Sequence, residues 1–205
     1  MKKILCYGDS NTFGYVPSSG ERYDETERWT GILQTILGNE YKIIEEGACD
    51  RTGFVNNPKG YLFSAPRHFP KLISKTSDID ILILSIGTND LQFQYDISYG
   101  AIERGLEVLI VDARKNINNI ILIPPVVLEE NILDGFFKIQ FDETSVIKSK
   151  KAGKIYKKLA GVYGCKFFDT NEFVHPSPKD GLHYDKEGHR LIAQKLAEFI
   201  KKNFD

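Results

Sequence analysis

Short apolar runs rich in β-branched residues alternate along this chain with longer segments in which apolar side chains recur at three- and four-residue steps. The runs occupy residues 3–7, 41–45, 79–86, 119–123 and 166–168 and read as five strands. Between and after them, Ile102, Leu106, Leu109, Ile110 and Ala113 trace one apolar helix face. Ala152, Ile155, Tyr156, Leu159, Val162 and Tyr163 trace a second, and Leu191, Ile192, Leu196, Phe199 and Ile200 a third, with Asp185 placed to cap it. Strands that alternate with helices in this way predict an α/β fold, a parallel sheet covered on both faces. There is no internal repeat, low-complexity segment or Gly/Ser/Pro-rich linker, so residues 1–205 are expected to form a single domain.

Two stretches, residues 56–70 and 124–144, fit the alternation poorly and are candidate functional loops. In the second, Phe136, Phe137, Ile139 and Phe141 crowd into an otherwise polar insertion after Pro124-Pro125. Aromatics outside periodic elements wall a pocket, line a subunit contact, or form a satellite core patch under a long loop. On the second of these grounds a homo-oligomer is expected.

Composition narrows the choice of partners. A chain of 205 residues that is 41% hydrophobic can bury one substantial core. Its 27 basic and 28 acidic residues leave a formal charge of −1, which favours neither nucleic acid nor an anionic membrane, so a small-molecule ligand is expected. The apolar run after Met1-Lys2-Lys3 is too short for a signal-peptide core and no stretch reaches membrane-spanning length, so the expected location is cytoplasmic. Cys6, Cys49 and Cys165 are odd in number and lack ligand spacing, which reads as reduced, structural cysteines.

Candidate chemistry gathers at strand ends. Gly8-Asp9-Ser10-Asn11-Thr12 follows Ile4-Leu5-Cys6-Tyr7, placing a hydroxyl at the carboxyl end of the first strand, the edge of an open α/β sheet where ligands collect. A serine alone is a poor nucleophile, so a base, an orienting acid and oxyanion donors are needed. His183 lies in Asp180-Gly181-Leu182-His183 between the last strand and the last helix. An Asp three residues earlier can fold back to accept its Nδ1–H and leave Nε2 for the serine proton. His189 falls within the last helix as a packed or half-exposed residue, while His68 and His175 sit beside prolines in loops. Oxyanion donors are available in Ile86-Gly87-Thr88-Asn89-Asp90 and in Glu46-Gly47-Ala48, which close the third and second strands. Each such turn is commonplace alone; four of them at the carboxyl ends of separate strands form a constellation.

These segments, in this order, resemble the successive blocks of the SGNH (GDSL-type) hydrolase superfamily over the full chain. Arg22-Tyr23, Arg28-Trp29, Glu45-Glu46-Gly47 with Arg51-Thr52, and the Phe-rich insertion resemble its intracellular arylesterase/acyltransferase branch. The resemblance implies a flavodoxin-like three-layer α/β/α sandwich around a five-stranded parallel sheet. It implies Ser10 as nucleophile, His183 as base and Asp180 as its partner, with an oxyanion hole from the Ser10 and Gly47 N–H groups and Asn89, and neither metal nor cofactor. One departure stands out. Cys49-Asp50 occupy the place where the family usually has a small Ser-Gly or similar pair before Arg-Thr, so substrate choice is not carried over.

The expected function is therefore hydrolysis of small carboxylic esters, or transfer of their acyl group, through a serine acyl-enzyme. Phe13, Trp29, Phe54 and Phe136 are candidates to line a short acyl pocket, though each can equally belong to the core. Two other readings use the same residues. Asp9, Asn89, Asp90 and His183 are groups of the kind that hold two divalent ions in phosphoesterases. Alternatively, Ser10-Asn11-Thr12-Phe13-Gly14 cradles a phosphate in a flavodoxin-like binding module, which leaves Asn89 and Asp180-x-x-His183 without a task.

Overall fold

The computed structural model describes residues 1–76 and 78–204. Five parallel strands, β1 (Lys2–Gly8), β2 (Tyr41–Gly47), β3 (Ile81–Ser85), β4 (Asn119–Ile123) and β5 (Lys166–Phe167), form one sheet in the order β2-β1-β3-β4-β5. Six helices connect and follow them: α1 (Ser10–Phe13), α2 (Trp29–Leu37), α3 (Ala65–Ser74), α4 (Tyr99–Arg114), α5 (Glu143–Tyr163) and α6 (Lys186–Phe204). The chain steps from β1 outward to β2 and then reverses through β3, β4 and β5. Because parallel crossovers are right-handed, the reversal sends the helices to opposite faces. Accordingly α2 packs on α6, while α3 packs on α4 and α4 on α5. Ile4 to Tyr7, Ile81 to Leu84 and Ile120 to Ile123 are buried between these layers, which is why their sequences are continuously apolar rather than alternating. The reversal also leaves a crevice at the carboxyl ends of β1 and β3, the ends that carry Ser10 and Asn89.

Three local departures from the sequence expectation have physical causes. The 56–70 stretch is a loop only in its first half, because α3 begins at Ala65. Pro66 lies in the first turn, where no N–H is needed, and Pro70 sits inside the helix, so two helix-breaking residues mask a helix whose Ala65, His68, Phe69 and Ile73 face inward. The ladder of β3 is shorter than the apolar run: Asp80 bonds Lys3 through both its carboxylate and its N–H, ending regular pairing before Ile79. On α5 the buried stripe runs through Ala152, Tyr156, Leu159 and Ala160, and Val162 faces outward. Asp185 caps α6 as expected, accepting the Gly188 N–H at 2.8 Å. The 124–144 insertion holds two short 3₁₀ turns, Glu130–Leu133 and Phe136–Ile139, that bury Phe137 and Phe141 and expose Phe136 and Ile139. Among the described residues no helix is long and apolar enough to cross a membrane.

The junction that places the crevice is the contact of α1 with the end of β2. A Cβ at Gly47 would stand 2.3 Å from the Phe13 nitrogen and 2.7 Å from its Cα, so the single turn of α1 lies directly on the Gly47 backbone. Replacing Gly47 with Ala is expected to destabilise the fold by about 1–3 kcal/mol, the usual scale of overpacking against backbone that cannot yield. Urea unfolding measures this, and an unchanged midpoint would show that α1 does not rest on β2.

Candidate active site

Ser10 is the first residue of α1. Asp9 caps the turn: its Oδ1 accepts the Asn11 N–H at 3.1 Å and its carbonyl accepts those of Thr12 and Phe13 at 3.1 and 2.9 Å. The Ser10 Oγ lies 2.9 Å from His183 Nε2, and His183 Nδ1 lies 2.8 Å from Asp180 Oδ2. The other carboxylate oxygen of Asp180 accepts the N–H groups of Leu182 and His183, both at 3.0 Å, which folds the Asp back beneath the imidazole. Burial raises the Asp180 carboxyl, but the hydrogen bond from His183 and these two N–H groups outweigh it and hold the acid below its ordinary value. All three side chains are buried, with Ser10 the most accessible at 7%.

Asn11 joins the two ends of the chain that must meet. Its carboxamide donates to the Leu182 carbonyl at 3.2 Å and accepts the Tyr184 N–H at 3.1 Å, gripping the backbone on either side of His183. The Trp29 indole N–H in turn donates to the Asn11 carbonyl at 3.0 Å. Sequence reasoning did not give Asn11 this task, and its position directly after Ser10 is the one signal that pointed to it.

The end of β3 supplies Asn89. Gly87 takes a φ of +115° that a side chain would resist, and the buried Tyr156 hydroxyl fixes the turn by donating to the Ile86 carbonyl at 2.5 Å. The Asn89 amide donates one N–H to the Arg51 carbonyl at 3.1 Å and accepts from Gln92 Nε2 at 3.1 Å, which fixes the carboxamide, and Asn89 lines the cleft it shares with Ser10. Neighbouring Asp90 is fully buried and accepts the N–H groups of Gly53, Phe54 and Val55 at 2.5, 2.7 and 3.0 Å, shaping the loop after β2. Burial pushes its carboxyl up to about 7 against the pull of these donors. Arg51 braces the same loop. It donates to the carbonyls of Leu62 (3.0 Å), Gly8 (3.2 Å) and Glu46, and its guanidinium lies over the Tyr7 ring. Glu45 receives a fork from Arg28 at 2.6 and 2.9 Å and a further bond from Arg22 at 3.1 Å. Burial raises the Glu45 carboxyl, but its bonds to Arg28 and Thr30 dominate and lower it.

The cleft over Ser10 has a volume of about 260 Å³. Its lining combines polar residues, Cys49, Asp50, Lys59, Asn89 and Gln140, with apolar and aromatic ones, Tyr15, Phe136, Phe137 and Leu182. Of the four aromatic lining candidates, Phe136 is in the cleft and three lie elsewhere. Phe13 sits under the Arg22 guanidinium, Trp29 is a core residue tied to Asn11, and Phe54 is turned inward against Gly87 and Gly105. Gly47 lies against α1, and the residues that reach the cleft from its turn are Cys49 and Asp50. Burial and the Asp50 charge push the Cys49 thiol up to about 11, so it stays protonated at neutral pH. Asp50 holds a φ of +60° and pairs with Lys59 at 2.6 Å.

The remaining histidines have other tasks. His189 is fully buried in α6, and its Nδ1 accepts the Trp29 N–H at 3.3 Å. His68 is on α3 rather than in a loop, with its Nδ1 3.3 Å from the Tyr7 hydroxyl. His175 is exposed beside Glu129. The groups weighed as a two-metal set are separately engaged: Asp90 by three N–H groups, His183 at both ring nitrogens, and Asp9 by Asn11 and Thr88. Among the described residues no group of three or more His, Cys, Asp or Glu side chains is placed to hold a metal ion.

Known proteins resemble this chain over most of its length. Residues 6–191 match the model of the GDSL-like lipase/acylhydrolase family. Among solved structures, the native aryl esterase of M. smegmatis is 26% identical, with 98% of this chain and 99% of that one superposed at a TM-score of 0.90. Est24, a carbohydrate acetylesterase from Sinorhizobium meliloti, is 25% identical over the whole of both chains, with a TM-score of 0.88. A putative arylesterase from Agrobacterium tumefaciens is 25% identical over 98% of this chain and 99% of that one, with a TM-score of 0.81. Among curated proteins no sequence match is found.

His189 generates a prediction about pH. Burial, followed by the His183 charge, lowers its titration to about 3, whereas an unfolded imidazole titrates near 6.5. Between those values the unfolded chain binds the extra proton, so stability falls as pH drops through the window, by up to about 1.4 kcal/mol per unit. Urea unfolding at pH 7 and 5 should show this loss in the parent and a smaller one in His189→Asn; equal losses would refute the assignment.

Proposed function

The chain belongs to the GDSL-like lipase/acylhydrolase family, and from that premise we propose that it is a serine esterase that cleaves small carboxylic esters through an acyl-enzyme. The single observation that carries this reading is the unbroken hydrogen-bonded line from Asp180 through His183 to Ser10, at 2.8 and 2.9 Å. In it, Asp180 fixes the imidazole with Nδ1–H toward the carboxylate, leaving the Nε2 lone pair to accept the Ser10 proton as Oγ attacks the ester carbon. In this reading the tetrahedral oxyanion is taken up by the Asn89 carboxamide and by the Ser10 and Gly47 N–H groups. The imidazolium then returns its proton to the departing alcohol, and water or a second alcohol, deprotonated by the same His183, releases the acyl group.

Two features favour small esters. A cleft of about 260 Å³ falls below the usual range for sites that enclose drug-sized ligands. Similar solved structures include an aryl esterase and a carbohydrate acetylesterase, and acetyl or similarly short acyl groups suit the apolar part of the lining, Phe136, Phe137 and Leu182. A phosphate-binding role for the α1 N-terminus is disfavoured, because the N–H groups of Asn11, Thr12 and Phe13 are already bonded to Asp9.

Ser10→Ala is expected to abolish the burst of p-nitrophenol from p-nitrophenyl acetate, and a phosphonylating reagent should label Ser10 in the parent. Turnover that persists in this variant would end the mechanism. Asn89→Ala should lower kcat by about 10²-fold or more, as loss of an oxyanion donor does elsewhere, with a much smaller change in KM. Steady-state kinetics on the same ester separates the two parameters, and a loss confined to KM would remove Asn89 from the oxyanion site.

A further inference from the structure

Tyr15 closes the turn that Ser10 opens. Gly14, at a φ of +87°, reverses the chain after α1, and the Tyr15 N–H donates to the Ser10 carbonyl at 3.0 Å. A bridge to Arg22 holds the Tyr15 backbone from the other side. The ring this places in the cleft lies over the face of His183, with centroids 4.2 Å apart and planes 29° from parallel. Phe137 meets the same imidazole at 5.4 Å and 60°. The charged and titratable groups around His183 are Asp180 at Nδ1 and Ser10 at Nε2, with Asp9 and His189 interacting with it electrostatically.

From this stack we propose that Tyr15 is a positioning residue that stabilises the imidazolium form of His183 in the transition state, by presenting its π face to the cation created when Nε2 takes the Ser10 proton. The proposal rests on the triad reading above. A neutral imidazole on an aromatic face gains mainly dispersion, whereas an imidazolium there is also drawn electrostatically to the electron-rich ring. The charge appears only as the proton moves, so the ring stabilises the transition state more than the ground state and acts on kcat. A ring that served only as a wall for substrate would act on KM.

The test uses the full chain and p-nitrophenyl acetate. Tyr15→Leu should lower kcat by roughly 3- to 30-fold, the range expected for a desolvated cation over a ring, with KM changing far less. Tyr15→Phe should restore most of the loss, because the π face returns without the hydroxyl. Pentafluorophenylalanine at position 15 retains the ring's outline but withdraws electron density from its face, so kcat should fall back toward the Leu value. Thermal melts and the extent of Ser10 phosphonylation establish that each variant is folded with its nucleophile in place. A kcat for the pentafluoro variant within about twofold of the Phe variant, or effects confined to KM, would overturn the proposal. Failure of the triad reading shows itself separately, as ester cleavage that survives Ser10→Ala, and would take this proposal with it.

Discussion

The amide of Asn11 is the tie on which the site depends. Ser10 lies near the start of the chain and His183 near its end, on segments that share no strand pairing and no helix. Two hydrogen bonds from one carboxamide, to the Leu182 carbonyl and from the Tyr184 N–H, bring the second segment against the first and leave the intervening imidazole aimed at Oγ. Both bonds are buried, where a broken partner leaves a polar group unsatisfied, so the arrangement resists slipping by one residue in either direction. The Trp29 indole holds Asn11 in turn, which couples the site to the packing of α2 on α6.

A second set of ties faces the other way, from the crevice into the loop after β2. Arg51 gathers the carbonyls at the ends of β1 and β2, and Asp90 gathers three successive N–H groups from the following turn. One buried cation thus satisfies acceptors and one buried carboxyl satisfies donors, so an irregular loop is fixed without regular secondary structure. Asn89 is bonded to the Arg51 carbonyl and to Gln92, so its carboxamide is held in place before any substrate arrives. Catalysis of the proposed kind needs that preorganisation, because donors that must turn to meet an oxyanion lose most of their advantage.

How much of this was legible in the sequence follows from what each residue answers to. The three central strands stood out because a sheet covered on both faces demands uninterrupted apolar runs, and the meeting of Ser10, Asp180 and His183 followed from strand ends converging on one edge. Helix α3 was hidden because Pro66 and Pro70 signal a break locally while the packing of Phe69 and Ile73 overrides them. The cleft lining was harder still. Phe54 packs inward against Gly87 and Gly105 on a loop that the distant Asp90 ties down, and Cys49 and Asp50 reach the cleft while Gly47 presses against α1; both depend on contacts with segments far away in sequence. The relation of α1 to β2 is a matter of backbone contact, which hydrophobic patterning does not record.

One consequence of the four-residue α1 reaches beyond geometry. The nucleophile and the aromatic wall beside it hang from a single turn whose ends are joined by the bond between the Tyr15 N–H and the Ser10 carbonyl. Steric pressure on that wall from a bulkier acyl group is transmitted straight to the attacking oxygen, so this scaffold cannot widen its pocket on that side and keep its line of attack unchanged. Adaptation to larger substrates would have to proceed from lining residues outside that turn, such as the Asp50–Lys59 pair.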